Sequence, residues 1–269
     1  MDKQKVVLVT GASGGIGQAI ARGMAKDGWL VYGTSRSGAN GAVDCRDGVR
    51  MICMDVTDEA SVQQAVALLI ESEGRLDAVV NNAGNGIAGA IEDTAAQEAF
   101  VQFDVNFFGV IRICHAVMPH LAQTQGVLIN ISSVAAEMAI PYQAMYSASK
   151  AALEVLTQAL RIEAAPLRVR VCSVLPGDTR TGFTAARRVT ARVSGHHADR
   201  LRKSLARMEH DEQNGAAPET VAAVVRRLAR RRNPPVRVTV GIGYKTLVLL
   251  KRLLPVRTLN WALGLLYGG

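Results

Sequence analysis

Aromatic residues are scarce in this chain of 269: Phe, Trp and Tyr make up 4% of it, while hydrophobic residues reach 49%. A core built from such a sequence must be Ala, Val, Leu and Ile, as when strands are buried on both faces. Cysteine is nearly as sparse. Cys45, Cys53, Cys114 and Cys172 are scattered without paired metal spacing, and are expected as buried free thiols in a reducing compartment. No residue set is expected to hold a metal. The N-terminal segment shows no apolar leader and runs almost directly into a strand, which makes a cytoplasmic protein the expectation.

Acidic residues are depleted at one end. From Ala185 onward there are 17 Lys and Arg against 5 Asp and Glu, whereas the preceding residues carry 14 against 18. The overall balance of +8 therefore belongs to the C-terminal third. The arginine run from Arg226 to Arg232 has no aromatics interleaved and no binding motif around it, so nucleic acid is not an expected partner. Length and composition fit one α/β domain over residues 1–269.

The stretch from Ser132 to Lys150 carries the chemistry. It reads as the end of a buried strand (residues 127–131), a loop containing Pro141, and a helix. Tyr146 and Lys150 lie four apart on that helix and so share a face. A free phenol titrates near ~10, and an ammonium one turn away favours the phenolate. Ser133 can meet Tyr146 only if the loop folds the strand end against the helix. Tyr146 would then exchange a proton while Ser133 bonds the same substrate oxygen and Lys150 tunes the tyrosine and holds a sugar hydroxyl.

Residues 5–10 form an apolar strand that runs into Gly11-Ala12-Ser13-Gly14-Gly15-Ile16-Gly17 and then a helical pattern. Strand, glycine loop and helix make a dinucleotide-binding turn, with the helix N-terminus facing the pyrophosphate. A second strand ends in Ser35-Arg36, and residues 29–43 contain no carboxylate to bond a ribose 2′-hydroxyl. Arg36 offers a bidentate partner for a 2′-phosphate instead, which points to NADP(H).

Thr10 followed by glycines at 11, 15 and 17 resembles the short-chain dehydrogenase/reductase family, and the resemblance extends through most of the chain. It implies a doubly wound, mostly parallel seven-stranded sheet. Asn82-Ala83-Gly84, preceded by Asn81, match the family segment that steadies the sheet and flanks the cofactor. Asp55-Val56 resemble its adenine contact, with Thr57 or Asp58 as a compatible helix cap. Pro176, Gly177, Thr179 and Thr181 resemble the segment that holds the nicotinamide carboxamide. Asn106 matches the fourth catalytic position and completes a set with Ser133, Tyr146 and Lys150.

The resemblance further implies an NADPH-dependent oxidoreductase working between a ketone and a secondary alcohol, and a homo-oligomer, dimer or tetramer, built on the later helices. Residues 182–215 are expected as a helical substrate lid with apolar contacts at Phe183, Val189, Val193, Leu201, Leu205 and Met208. His196 and His197 are expected in an exposed loop. The apolar, basic tail from 244 to 269 either packs over the pocket or a second subunit, or lies on a membrane surface. Hydrophobic, steroid- or lipid-like carbonyl substrates fit this pattern; a 3-oxoacyl thioester and a non-catalytic NADPH sensor are the alternatives.

Overall fold

The Val-rich runs become strands whose alternate side chains enter two separate cores. In the computed structural model, which describes residues 4–37 and 44–268, β1 (Val6–Val9) sits at the centre. Val7 and Val9 pack on one face against α1 (Gly15–Lys26), while Val6 and Leu8 enter the core on the other. The period-two alternation of a strand makes that division.

From β1 the chain winds outward through β2 (Leu30–Ser35), the short β3 (Asp44–Arg46) and β4 (Val49–Cys53), then into α2 (Glu59–Glu73). Asp58 caps α2 by accepting from the Ala60 amide at 2.9 Å. The chain then returns to the other side of β1 through β5 (Ala78–Asn81) and a two-residue β6 (Ile87–Ala88). After α3 (Ala96–Phe103) and α4 (Gly109–Thr124) come β7 (Val127–Ile131), α5 (Ala144–Glu163) and β8 (Arg170–Leu175). The rest comprises α6 (Phe183–Ala186), β9 (Arg188–Val189), α7 (Gly195–Gln213), α8 (Pro218–Arg230), β10 (Arg237–Thr239), α9 (Ile242–Lys251) and α10 (Val256–Tyr267).

Strand order in the main sheet is β10-β8-β7-β5-β1-β2-β4-β3. Seven of these strands are parallel, as expected; β3 adds an antiparallel edge to β4. Winding reverses between β1 and β5, and a sheet of this kind leaves its crevice at the carboxyl ends beside that reversal. α1 and α8 cover one face, α2 and α4 the other.

Between α3 and α4 the rod does not stay α-helical. Asp104–Phe108 is a π turn, which no residue pattern announces, and it carries Asn106. The combined rod, Ala96–Thr124, is long and apolar enough to cross a membrane by length and composition, yet Ile113, Val117 and Leu121 bury one side of it against the sheet. Phe100, Phe108, Ile111, Val155 and Ile162 of α3, the π turn, α4 and α5 stay exposed.

The thiols depart from expectation. All four are free, but Cys45 is exposed on the edge strand and Cys172 alone among them is fully buried. Burial pushes the Cys114 and Cys172 thiols up to about 12. In the arginine run, Arg226 and Arg230 of α8 both pair with Asp27 at the end of α1, fastening the two helices together. The Arg226 hydrogen bond holds the Asp27 carboxyl below the ordinary 3.8. A carboxyl depressed in the folded state stabilises it above the unfolded value and loses that contribution as pH falls through the folded one. Asp27→Asn should therefore lower Tm at neutral pH by about 2–4 °C, the shift that ~1 kcal/mol produces at this size, and the deficit should shrink in acid melts. A pH-independent deficit would assign the effect to packing instead.

Candidate active site

Two backbone clasps fix the floor of the crevice. The Thr10 hydroxyl accepts from the Asn82 and Ala83 amides, each at 2.9 Å, and the Asn82 side chain donates to the Thr10 carbonyl at 3.0 Å. The ends of β1 and β5 are thus tied where the sheet reverses. Gly11 adopts φ +64, and Gly17 packs so closely beneath it that an added Cβ would lie 2.2 Å from the Gly11 carbonyl oxygen. Gly17 therefore closes the turn from behind and does not line the crevice; Gly11, Ser13, Gly14, Gly15 and Ile16 do.

The crevice holds a cleft of about 550 Å³. Ser35 and Arg36 line it at the end of β2, and Asp55 and Val56 after β4. Asp55 spends one carboxylate oxygen on the Thr57 amide and hydroxyl, at 2.9 and 2.8 Å. Asn82, Ala83, Gly84, Pro176, Gly177, Thr179 and Thr181 line the opposite side. Part of the carboxylate-free stretch, residues 38–43, lies outside the described residues. A narrow glycine loop before a helix, a cation at the far strand end and a long cleft between them fit a dinucleotide.

The loop after β7 does fold the strand end against α5. The Lys150 ammonium donates to the Ile131 carbonyl at 2.9 Å, and the Ser133 hydroxyl accepts from the Ala135 amide at 3.1 Å. Beneath them a buried polar chain runs from Asn81 to Asn130 at 2.8 Å and from Asn130 to the Thr157 hydroxyl at 2.8 Å. That chain pins β5, β7 and α5 in one register, so Ser133, Tyr146 and Lys150 reach the same cleft wall. Asn106 sits behind it. Its carboxamide accepts from the Asn85 amide at 2.9 Å and donates to the Asn85 carbonyl and the Ser149 hydroxyl, each at 3.1 Å. The π turn aims it there, a use such bulges commonly have.

Burial pulls the two titrating groups in opposite directions. It raises the Tyr146 phenol above its ordinary 10.0, with the Ser133 hydroxyl pulling the other way, and it lowers Lys150 to about 8. The expectation that Lys150 brings the phenol down is not met: the ammonium lies 5.9 Å from the Tyr146 ring centre, and desolvation of the phenolate is the largest influence on the phenol. Glu154, one turn beyond Lys150, escaped the sequence reading. It is buried, its carboxyl is pushed up by desolvation, and it accepts from Ser173 at 3.0 Å.

Of residues 182–215, Gly182, Phe183, Ala186, Met208 and Glu212 line the cleft. Leu201 and Met208 are buried on α7, but Val189 and Val193 precede that helix and are exposed. Phe183 packs its ring 5.7 Å from that of Tyr146. Arg187, buried beneath it, pairs with Glu212, which also accepts from Thr184 and lines the cleft. His196 and His197 are not in a loop. They occupy the first turn of α7, and Glu92, distant in sequence, meets both of their rings there. No carboxylate or cysteine cluster accompanies them in sequence; the tertiary fold brings Glu92 to them.

The tail covers the pocket. Tyr244 of α9 donates to Asp178, with its ring over Gly177, where a Cβ would come within 2.1 Å. Leu263 of α10 is buried with Val134, Met138 and Leu175, and Tyr267 lines the cleft.

The comparisons agree with this geometry. Residues 5–191 match the family model for short chain dehydrogenases. A 3-ketodihydrosphingosine reductase of Bacteroides thetaiotaomicron is 40% identical over 267 residues, covering 98% of both chains. An NADPH-dependent 1-acyldihydroxyacetone phosphate reductase of Schizosaccharomyces pombe is 35% identical over 67% of this chain and 62% of its own. Among solved structures, a short-chain dehydrogenase from Streptomyces avermitilis superposes with a TM-score of 0.82 at 31% identity, covering 96% of this chain and 95% of its own. With the glycine turn, the reversed parallel sheet and the Ser133, Tyr146 and Lys150 wall already in place, these matches make the chain a member of the short-chain dehydrogenase family, an oxidoreductase acting on carbonyl and alcohol groups.

Proposed function

We propose that the chain uses NADPH to reduce the keto group of a long-chain 2-amino ketone of the 3-ketodihydrosphingosine type. The observation that carries this reading is a carboxylate set into a largely apolar wall beside Tyr146. Ile140, Phe183, Ala186 and Met208 supply apolar surface, and Glu212 supplies charge near the phenol. Arg187 and Thr184 hold that carboxylate in place, and its oxygens retain further accepting capacity. An alkyl chain suits the apolar residues, and an ammonium next to the carbonyl suits Glu212. The near full-length similarity to a relative of that name supports the same substrate class.

Bound in the cleft, the dinucleotide supplies the hydride. Tyr146 gives its proton to the carbonyl oxygen as the C=O electron pair moves onto it, leaving an alcohol. The Ser133 hydroxyl, accepting from Ala135, still has its own proton to donate to that oxygen. Lys150 holds the ribose and the Tyr146 side of the proton path, and Asn106 fixes the Asn85 backbone along it. The remaining cofactor contacts are assigned to Gly11, Ser13, Gly14, Gly15, Ile16, Ser35, Arg36, Asp55, Val56, Asn82, Ala83, Gly84, Pro176, Gly177, Thr179 and Thr181. Arg36, at the mouth of the cleft, would bind the 2′-phosphate, and the S. pombe relative is named for NADPH. The exposed apolar side chains of α3, α4 and α5 would join subunits of a dimer or tetramer.

The raised Tyr146 value keeps the proton donor loaded at neutral pH, while Lys150 is charged only below about 8. For reduction, kcat/KM should be level in mild acid and fall as pH rises through about 8; a plateau reaching the ordinary lysine value of 10.5 would exclude a role for the Lys150 proton. Arg36→Asp should weaken NADPH binding by roughly 10–100-fold and leave NADH affected far less, measured by fluorescence titration. Equal effects on both would assign Arg36 to the solvent.

The function itself is tested by assaying 3-ketodihydrosphingosine, its analogue without the amine, a steroid ketone and a 3-oxoacyl thioester. Tyr146→Phe should lower turnover of the amino ketone by about 10²-fold or more without loss of NADPH binding. Glu212→Gln should raise KM for the amino ketone by roughly 10–100-fold and spare the analogue. Turnover of the steroid or the thioester alone would overturn the substrate assignment.

A further inference from the structure

The last two helices have a second face that the pocket does not use. Inward, Val248 and Leu263 are buried, Lys251 bonds Glu137 at 2.8 Å, and Tyr267 bonds Asp211 at 3.2 Å. Outward, large apolar side chains stand in solvent: Ile242 is 84% exposed, Leu253 75%, Val256 71%, Leu265 69% and Trp261 66%. Leu249 and Leu266 extend the same surface. A water-soluble monomer rarely leaves so many large apolar side chains of one short segment uncovered.

Charge narrows what would cover it. Residues 242–268 contain no Asp or Glu. Lys245, Arg252 and Arg257 are exposed among the apolar side chains and have no ion-pair partner among the described residues. Glu137, which meets the tail from the loop after β7, already binds Lys251 and Arg237; burial pushes its carboxyl up, but the two cations outweigh that and hold it low. A self-associating surface would bring these cations against their own copies, whereas an anionic lipid surface neutralises them and takes up Trp and Leu at the headgroup boundary.

We infer that the outer face of α9 and α10 is a docking surface for a membrane carrying anionic lipids. The same helices reach the cleft through Tyr267, and Leu263 packs against Val134, which lines it, so docking sets the pocket against the bilayer. That position would let a lipid ketone pass in without crossing water, a consequence that rests on the substrate reading above; the docking itself does not.

The test is flotation of the full-length protein with vesicles of phosphatidylcholine alone or with about 30% phosphatidylglycerol, at low and high salt. The intact protein should float with the anionic vesicles, less with the neutral ones, and less at high salt. The triple variant Leu253→Glu, Trp261→Glu, Leu265→Glu touches no cleft residue. It should keep its NADPH affinity, which reports folding, and lose vesicle binding at least about tenfold. The inference fails if the intact protein does not float, or if the folded variant floats equally well. It also fails if neither floats and the intact protein is larger than the variant by light scattering, since a second copy then covers the face.

Discussion

The tie between the ends of β1 and β5 is what the site depends on. Parallel strands have no hairpin to hold their ends together, and where the winding reverses, the connections after two neighbouring strands leave to opposite faces of the sheet. Thr10 and Asn82 close that gap with one hydroxyl and one carboxamide. The next layer, from Asn81 through Asn130 to Thr157, repeats the device one strand further on and reaches into α5. The Asn81 carboxamide donates to Asn130 while its own oxygen stays unpartnered, and the chain of bonds runs from β5 to the helix that carries Tyr146 and Lys150. The cofactor side and the proton side of the cleft are therefore parts of one network.

Within that frame, desolvation sets the proton chemistry more than proximity does. A lysine and a tyrosine one turn apart on an exposed helix would share charge through water. Here Lys150 is buried and Tyr146 is half-buried in the cleft wall, so the phenol is held protonated and the ammonium is made easier to discharge. The arrangement suits a proton donor that is refilled through its neighbours. Lys150 is bonded to the backbone of the strand end and has Glu154 one turn away, so its charge is contained by the interior and kept from solvent.

The C-terminal third acts as a cover with two surfaces. Its inner residues reach the active-site loop through Tyr244, Lys251, Leu263 and Tyr267. The outer residues of its last two helices are apolar and basic without acidic relief. The tail's contact with the pocket and the membrane docking inferred above are therefore compatible, because docking would use the opposite face of the same helices.

The dinucleotide turn, the parallel α/β class and the shared face of Tyr146 and Lys150 were legible in the sequence, since each follows from local spacing: glycines beside a strand, apolar runs of strand length, and two residues a helical turn apart. Ser133 was legible only on the condition that its loop folds back, which the Lys150 bond to Ile131 meets. The π turn under Asn106, the carboxylate of Glu212 in the pocket, the meeting of Glu92 with His196 and His197, and the direction of the Tyr146 shift were not legible. Each depends on groups remote in the chain being brought together or stripped of water. Spacing determined which side chains could cooperate; long-range packing decided their partners, their exposure and so their charge.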